Sequence, residues 1–275
     1  MRILIVGGYG RMGRWFVRFL QRRGLREIYI TGRNEKKAVS VSRLLGVKVF
    51  QKPSPTFDII IFSTPPSSIP QLYERYLGFQ PNFFVEIASV KKSILEALTY
   101  PSNLLSIHPF FGPRVRSLRG KNVVWVHPKT PTAHERRFLD LFRSEGASVF
   151  YVPPDVHDEA IKYTLSLPHL FTLLLGRAIR SSEIDRQLIS ALSGGSFKKF
   201  ETLLRSMALE SPEVYSEIQL LSPSYSNILR DISSQLLSLA EDYERGVSQN
   251  FREIMAATTK YFSRKKDLSN KLENS

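Results

Sequence analysis

The sequence of 275 residues contains no cysteine. That rules out a disulfide framework, a thiolate nucleophile and any zinc site built on Cys ligands. Long hydrophobic runs are missing too. The longest apolar stretches, "FDIIIF" at 57–62 and "LFTLLLG" at 170–176, fall far short of the roughly 20 residues that a membrane span requires. The N-terminal run is short and ends in glycines, without a small-residue cleavage site, so secretion is not expected and a cytoplasmic setting is. Acidic residues are scarce, 25 against 39 basic ones, leaving a formal charge of +14. A field of that sign attracts nucleic acids and small polyanions alike. The basic groups "RWFVRFLQRRG", "GPRVRSLRGK" and "SRKKDLSNK" carry no interleaved RNA-binding aromatic signature. A small anionic ligand is therefore expected, and nucleic acid and membrane are not.

What is present is enough apolar material, 42% of the chain, to build one large domain or two ordinary ones. Residues 1–152 alternate strand-like runs with helical stretches. The strands are read at "RILIVG", "EIYITG", "VKVF", "DIIIFS", "FFVEIA", "NLLSIH", "NVVWVH" and "ASVFYV". Amphipathic segments at 11–24 and 35–46 lie between some of them. Such alternation predicts an α/β architecture with a mostly parallel sheet covered on both faces. From Pro153 the strand signal vanishes and apolar residues recur at helical spacing, predicting a domain of about five helices over 153–275. "PSPT" at 53–56 and "TPPSSIP" at 64–70 read as loop punctuation.

The first chemical motif is Gly8-Tyr9-Gly10-Arg11-Met12-Gly13, set between a strand and a helix. Gly8 is expected to allow the tight turn, Gly10 to let the backbone approach a pyrophosphate, and Gly13 to let the helix pack closely on the sheet. Strand, glycine turn and helix in that order predict a Rossmann-type dinucleotide-binding domain. The second strand ends in Thr31-Gly32-Arg33 rather than in the acidic residue that holds a ribose 2′-hydroxyl. Arg33 could clamp a 2′-phosphate, so NADP is expected ahead of NAD. Ser63, Thr64 and Pro65 follow the fourth strand and would line the same crevice.

Of the five histidines, His127 and His134 flank a Pro-rich loop and are expected at the surface. His157 reads as a first-turn residue behind Asp155 as N-cap. His108 closes a strand in "IHPFFGP" at the carboxyl edge of the sheet, where crevice residues lie, and His169 follows Pro168 at an expected helix kink. Ser89 ends another strand and reads as a helix N-cap; Lys91, just inside that helix, either meets an anionic ligand or is solvated.

"GGYGRMG", "ASVKKSIL", "IHPFFGP", "HDEAIKYTLSLPHLF" and "ESPEVYSEIQ" occur in the order and approximate spacing of the prephenate dehydrogenase family, which the chain resembles over nearly its whole length. The resemblance implies oxidative decarboxylation of prephenate to 4-hydroxyphenylpyruvate with NAD(P), in tyrosine biosynthesis. It implies His108 as catalytic histidine, Ser89 as its hydrogen-bonding partner and a contact of the substrate hydroxyl, and His169 as a substrate-pocket residue. It also implies a helical-domain arginine for the substrate carboxylate, at a position where this chain has Ser206. Arg205, one residue earlier, is about 100° away around a helix, and Lys198 and Arg230 are further candidates, beside Lys91. No metal is expected. Amphipathic helices and the resemblance together predict a homodimer joined through helices after residue 180. No mutase domain is expected before residue 1 and no regulatory domain after 265. Alternatives left open are an arogenate or other small-acid dehydrogenase, and a non-catalytic NADP-binding sensor.

Overall fold

Ile3, Leu4, Ile5 and Val6 are all buried, because a strand with layers on both sides sends successive side chains into two different cores. The computed structural model describes residues 1–51, 56–127, 129–222 and 224–263. Its first strand, β1 (Arg2–Val6), is joined by β2 (Glu27–Thr31), β3 (Lys48–Val49), β4 (Ile59–Phe62), β5 (Phe83–Glu86), β6 (Leu104–Pro109), β7 (Asn122–Trp125) and β8 (Ser148–Tyr151). They form one sheet in the order β3-β2-β1-β4-β5-β6-β7-β8. Every pairing is parallel except β6 with β7. All eight expected strands are present. "PSPT" lies outside the described residues except for Thr56, and of "TPPSSIP" a 3-10 turn occupies Pro66–Ser68 while a helix already begins at Ile69.

The helices of this α/β part are α1 (Arg11–Arg22), α2 (Glu35–Leu45), α3 (Ile69–Leu77), α4 (Lys92–Ala97) and α5 (Ala133–Arg143). One core joins Ile3, Ile5, Ile59, Ile61, Val85 and Ile107 to Trp15, Phe16 and Phe19 of α1 and Phe138 and Phe142 of α5. The opposite core joins Leu4, Val6, Ile60, Phe62, Phe84 and Leu104 to Ile69 and Tyr73 of α3 and to Ile94 and Leu95 of α4. By the same alternation Ser106 and His108 face the α3–α4 side.

After β8 the chain is helical throughout its described length. The elements are α6 (Pro154–Ile161), α7 (Leu167–Ser181), α8 (Arg186–Ala191), α9 (Gly195–Met207), α10 (Pro212–Leu220), α11 (Tyr225–Glu244) and α12 (Gln249–Ser263). The expected five helices are thus seven, because short turns at Ser182–Asp185 and Leu192–Gly194 break what reads as longer periodic runs. A π-helical stretch, Lys162–Ser166, joins α6 to α7 immediately before Pro168. Proline offers no N–H to its preceding turn, and the widened turn absorbs that loss. The chain divides into two compact units, Met1–Pro223 and Ser224–Ser275. The second contains α11 and α12, with Asn250 Nδ2 donating to Ser238 Oγ at 3.3 Å. The basic group "SRKKDLSNK" lies outside the described residues from Arg264 on. Among the described residues no helix is long and apolar enough to cross a membrane.

Candidate active site

The glycine turn leaves β1 at the point where strand order reverses, between β1 and β4, which is where open α/β sheets bind ligands. Here the positive φ belongs to Gly7, at +81°, rather than to Gly8. A side chain at Gly8 would instead strike Ile30 at 2.5 Å. At Gly13 a Cβ would lie 2.4 Å from the Gly7 carbonyl oxygen, so α1 sits directly on the turn. Gly10 is the N-cap of α1 and offers no side chain, and the first turn holds no acidic residue. The helix start therefore presents unpartnered N–H groups to an anion. Across the crevice Ser63, Thr64 and Pro65 are half-buried, and Thr64 Oγ1 is buried without a partner. The glycine cradle and this orphaned hydroxyl fit a dinucleotide. Tyr9 and Met12 are half-buried and Arg11 is exposed. The Tyr9 ring fills the space beside Gly32, where a Cβ would meet it at 2.3 Å, and its hydroxyl accepts from the Asn34 N–H at 3.2 Å. Thr31 is half-buried and Arg33 is exposed at the open end of β2.

His108 lies three strands away on the same edge, about 14 Å at the usual inter-strand spacing. It is 6% exposed. Its Nδ1 stands 2.9 Å from Nε2 of His157, and Nδ1 of His157 stands 2.7 Å from Oδ1 of Asp158. A carboxylate only accepts, so Nδ1 of His157 carries the proton and its Nε2 accepts from Nδ1–H of His108. Nε2 of His108 is left with its lone pair, and among the described residues no protein group bonds it. Burial, then the neighbouring His157 and the Lys91 charge, holds His108 well below the ordinary histidine value. Burial lowers His157 as well, against the opposing pull of Asp158. A neutral imidazole with one free nitrogen is a base ready to take a proton.

Asp158 does a second job. Its carboxylate accepts the backbone N–H groups of Lys91 at 3.0 Å and Lys92 at 2.9 Å. It thereby supplies from α6 the cap expected of Ser89, since α4 begins only at Lys92 and Lys91 is its N-cap residue. Ser89 itself is half-buried in the preceding turn. Asp155 is not the cap of α6 either: Pro153 holds that position, and Asp155 pairs with Lys92 at 2.7 Å.

Lys91 is neither solvated nor available to a ligand. It is fully buried, with Nζ donating to Glu86 Oε1 and to the carbonyl of Ile107, both at 2.6 Å. Glu86 also accepts from the Ala88 N–H at 2.8 Å and from the hydroxyl of Ser106. Burial pulls the ammonium below the usual lysine value while Glu86 opposes it. The signal was available: a glutamate inside "FFVEIA", a strand buried on both faces, demands a cation. His157 carries no comparable sign, because its partner is 49 residues away. His127, expected at the surface, is buried and accepts from the Lys129 N–H at 3.1 Å; His134 is exposed.

His169 lines a cavity of about 270 Å³ with Met207, Glu210 and Tyr215. Its ring packs on Tyr215 at 4.6 Å, its Nδ1 is buried without a partner, and burial lowers its pKa. The proposed carboxylate cations fare differently. Arg205 is tied to Glu201 on its own helix at 2.6 Å, because the two are spaced i, i+4. Lys198 is exposed in the first turn of α9. Arg230 belongs to the second unit, where it donates to Asn227 at 2.9 Å. The cation that reaches Ser206 is Arg114, from the loop after His108, with Nη2 donating to Ser206 Oγ at 2.7 Å.

Residues 153–257 match the model of the prephenate dehydrogenase dimerization domain, and residues 2–88 match that of a coenzyme F420-dependent NADP oxidoreductase. A probable arogenate/prephenate dehydrogenase of Methanocaldococcus jannaschii is 24% identical over 95% of this chain and 61% of its own length. The T-protein of Enterobacter agglomerans is 24% identical over 90% of this chain and 64% of its own. The chain thus spans about three fifths of the length of these curated relatives. In fold it is similar to prephenate dehydrogenase of Aquifex aeolicus, crystallised with hydroxyphenyl propionate and NAD+: TM-score 0.73, 20% identity, covering 95% of this chain and 97% of that one. In its helical part the chain is similar to the prephenate dehydrogenase dimerization domain, and along nearly its whole length it is similar to relatives of the arogenate/prephenate dehydrogenase kind.

Proposed function

We propose that this protein oxidatively decarboxylates prephenate to 4-hydroxyphenylpyruvate, serving tyrosine biosynthesis, with a nicotinamide dinucleotide as oxidant. The observation that carries the reading is His108: buried, neutral, fixed through His157 to Asp158, and with Nε2 open at the carboxyl edge of the sheet. As the ring carbinol carbon gives up hydride, its hydroxyl proton passes to that nitrogen. The ring carboxylate then leaves as CO2 and the ring becomes aromatic, which supplies much of the driving force. A nicotinamide dinucleotide held by the glycine cradle would supply the hydride acceptor. Gly8, Gly10, Gly13, Ser63 and Thr64 would hold the dinucleotide, while Ser89 and His169 would contact substrate.

The exposed Arg33, with no acidic residue at the end of β2, favours NADP, since a guanidinium matches a 2′-phosphate. Residues 1–152 would carry the cofactor, and 153–275 the substrate contacts and dimerisation. The second assignment draws support from exposed apolar side chains such as Leu188, Leu192 and Phe200 in the first unit and Leu237, Met255 and Phe262 in the second. A homodimer follows, and sedimentation at micromolar concentration would show it.

Steady-state oxidation of prephenate and of arogenate with each nicotinamide tests the reaction. Turnover of prephenate that disappears in His108→Asn, with cofactor affinity retained, supports the reading. Wild-type protein that binds cofactor and oxidises neither substrate refutes it and leaves a sensor.

A further inference from the structure

Prephenate carries two carboxylates with opposite needs. The ring carboxylate must leave, and a cation bound to it would stabilise the ground state and oppose its loss. The side-chain carboxylate persists into product, so that is where a cation can hold the substrate without slowing the reaction. Arg11 is already paired at 3.2 Å with Glu210, which lines the His169 cavity, and Arg205, the neighbour of Ser206 in the chain, is paired with Glu201 at 2.6 Å. Arg114 differs. Among the described residues no carboxylate lies within ion-pair distance of its guanidinium, and its one described contact is the neutral hydroxyl of Ser206 at 2.7 Å.

The position of Arg114 is built rather than incidental. It follows His108 by six residues in the turn "HPFFGPR". That turn is pinned to α1, where Trp15 Nε1 donates to the Val115 carbonyl at 2.9 Å and Phe111 packs on the Trp15 ring at 4.8 Å. On the other side Ser206 immediately precedes Met207, which lines the cavity with His169 and Tyr215. A guanidinium has five N–H donors, and Ser206 takes one. The rest form a fork suited to a carboxylate.

We propose that Arg114, steadied by Ser206, is the cation that binds the substrate's side-chain carboxylate, in place of a helical-domain arginine. The inference rests on the function proposed above and assigns that site its specificity-determining charge from the same loop that follows the base.

Calorimetry separates charge recognition from fold. The probes are 3-(4-hydroxyphenyl)propionate and its neutral amide, bound to the wild-type NADP complex, to Arg114→Met and to Arg114→Lys. Arg114→Met is expected to weaken the acid about 10- to 100-fold, as for loss of a charge-assisted bidentate contact, with the amide changed less than about twofold. Arg114→Lys, a point charge without the fork, should fall between. With prephenate the loss should appear chiefly in KM. Equal acid binding by wild type and Arg114→Met overturns the assignment while leaving the reaction intact, and so does an equal loss of acid and amide. A wild type that neither binds the acid nor oxidises prephenate overturns the reaction and this ligand together.

Discussion

His108 and His157 face each other with Nδ1 and Nε2 2.9 Å apart, and this contact fixes which nitrogen of His108 is free. Asp158 stands behind it and sets the tautomer of both rings. In Asp158→Asn the side-chain oxygen still accepts from the Lys91 and Lys92 N–H groups, so α4 keeps its cap. The amide nitrogen can instead donate to His157 and impose the opposite tautomer. Turnover should fall on the order of 10²- to 10⁴-fold, by analogy with a triad whose orienting carboxylate is replaced by an amide. Thermal unfolding and NADP affinity should change little, and measuring all three separates orientation from folding.

Both rings have folded-state pKa values below the ordinary one. The base works when neutral, so kcat/KM should hold through neutral pH and fall only below the usual histidine range of about 6.5. Stability follows the same direction. Above that range the rings are neutral in both states. As pH drops below it, the unfolded chain takes up protons that the folded one refuses, and stability is lost until the folded values are reached. Denaturant titrations between neutral and mildly acidic pH should show that decline, and it should shrink in His157→Gln.

Two glycines of the turn should behave differently on substitution. At Gly13 a methyl group would lie 2.4 Å from the Gly7 carbonyl oxygen and 2.6 Å from the Gly8 Cα. Gly13→Ala should therefore destabilise the protein, by about 1–3 kcal/mol as for overpacking elsewhere. At Gly10 the nearest atom is the same carbonyl oxygen at 3.0 Å. Gly10→Ala should fold with only a small shift in midpoint yet bind NADP at least about tenfold more weakly, because its methyl stands where a pyrophosphate must approach the backbone. Melting curves and cofactor titration distinguish the two.

Removing one half of the buried Glu86–Lys91 pair leaves the other charge without a partner. Lys91→Met should cost about 3–5 kcal/mol, whereas Glu86→Gln with Lys91→Met should recover much of that loss. Chemical denaturation of the single and double variants reads the difference. A double variant no more stable than the single one would mean that the Ile107 carbonyl, not Glu86, is the partner that matters.

The parts of this architecture that were legible in the sequence are those written in local periodicity. Eight short apolar runs gave eight strands, and a strand–glycine–helix order placed the cradle. His108 could be read because a strand end in a parallel sheet is itself a location. His157 could not, because "PPDVHDEA" is locally an ordinary polar first turn and only the packing of α6 on the end of β6 makes it a ligand of another imidazole. Lys91 is hidden for a related reason: its counter-charge, Glu86, stands at the end of the preceding strand rather than on its own helix. The positive φ expected of Gly8 falls on Gly7, because a motif fixes spacing, not dihedral angles. Arg114 is one basic residue among several in the linear sequence, where nothing brings it to Ser206, 92 positions later.

Among the described residues β6 and β7 form the one antiparallel pairing of the sheet. Had β7 run alongside β6, the chain would have had to leave the carboxyl edge at once and return by a crossover. With β7 reversed, residues 110–121 stay at that edge, where the Phe110 ring packs on His108 at 4.2 Å. Leu118 belongs to the core that α1 and α5 cover, and Phe111 and Val115 pack against it, but Phe110, Arg114 and Arg116 are exposed, so exchanges at those three positions alter the chemistry of the edge while His108 stays where it is.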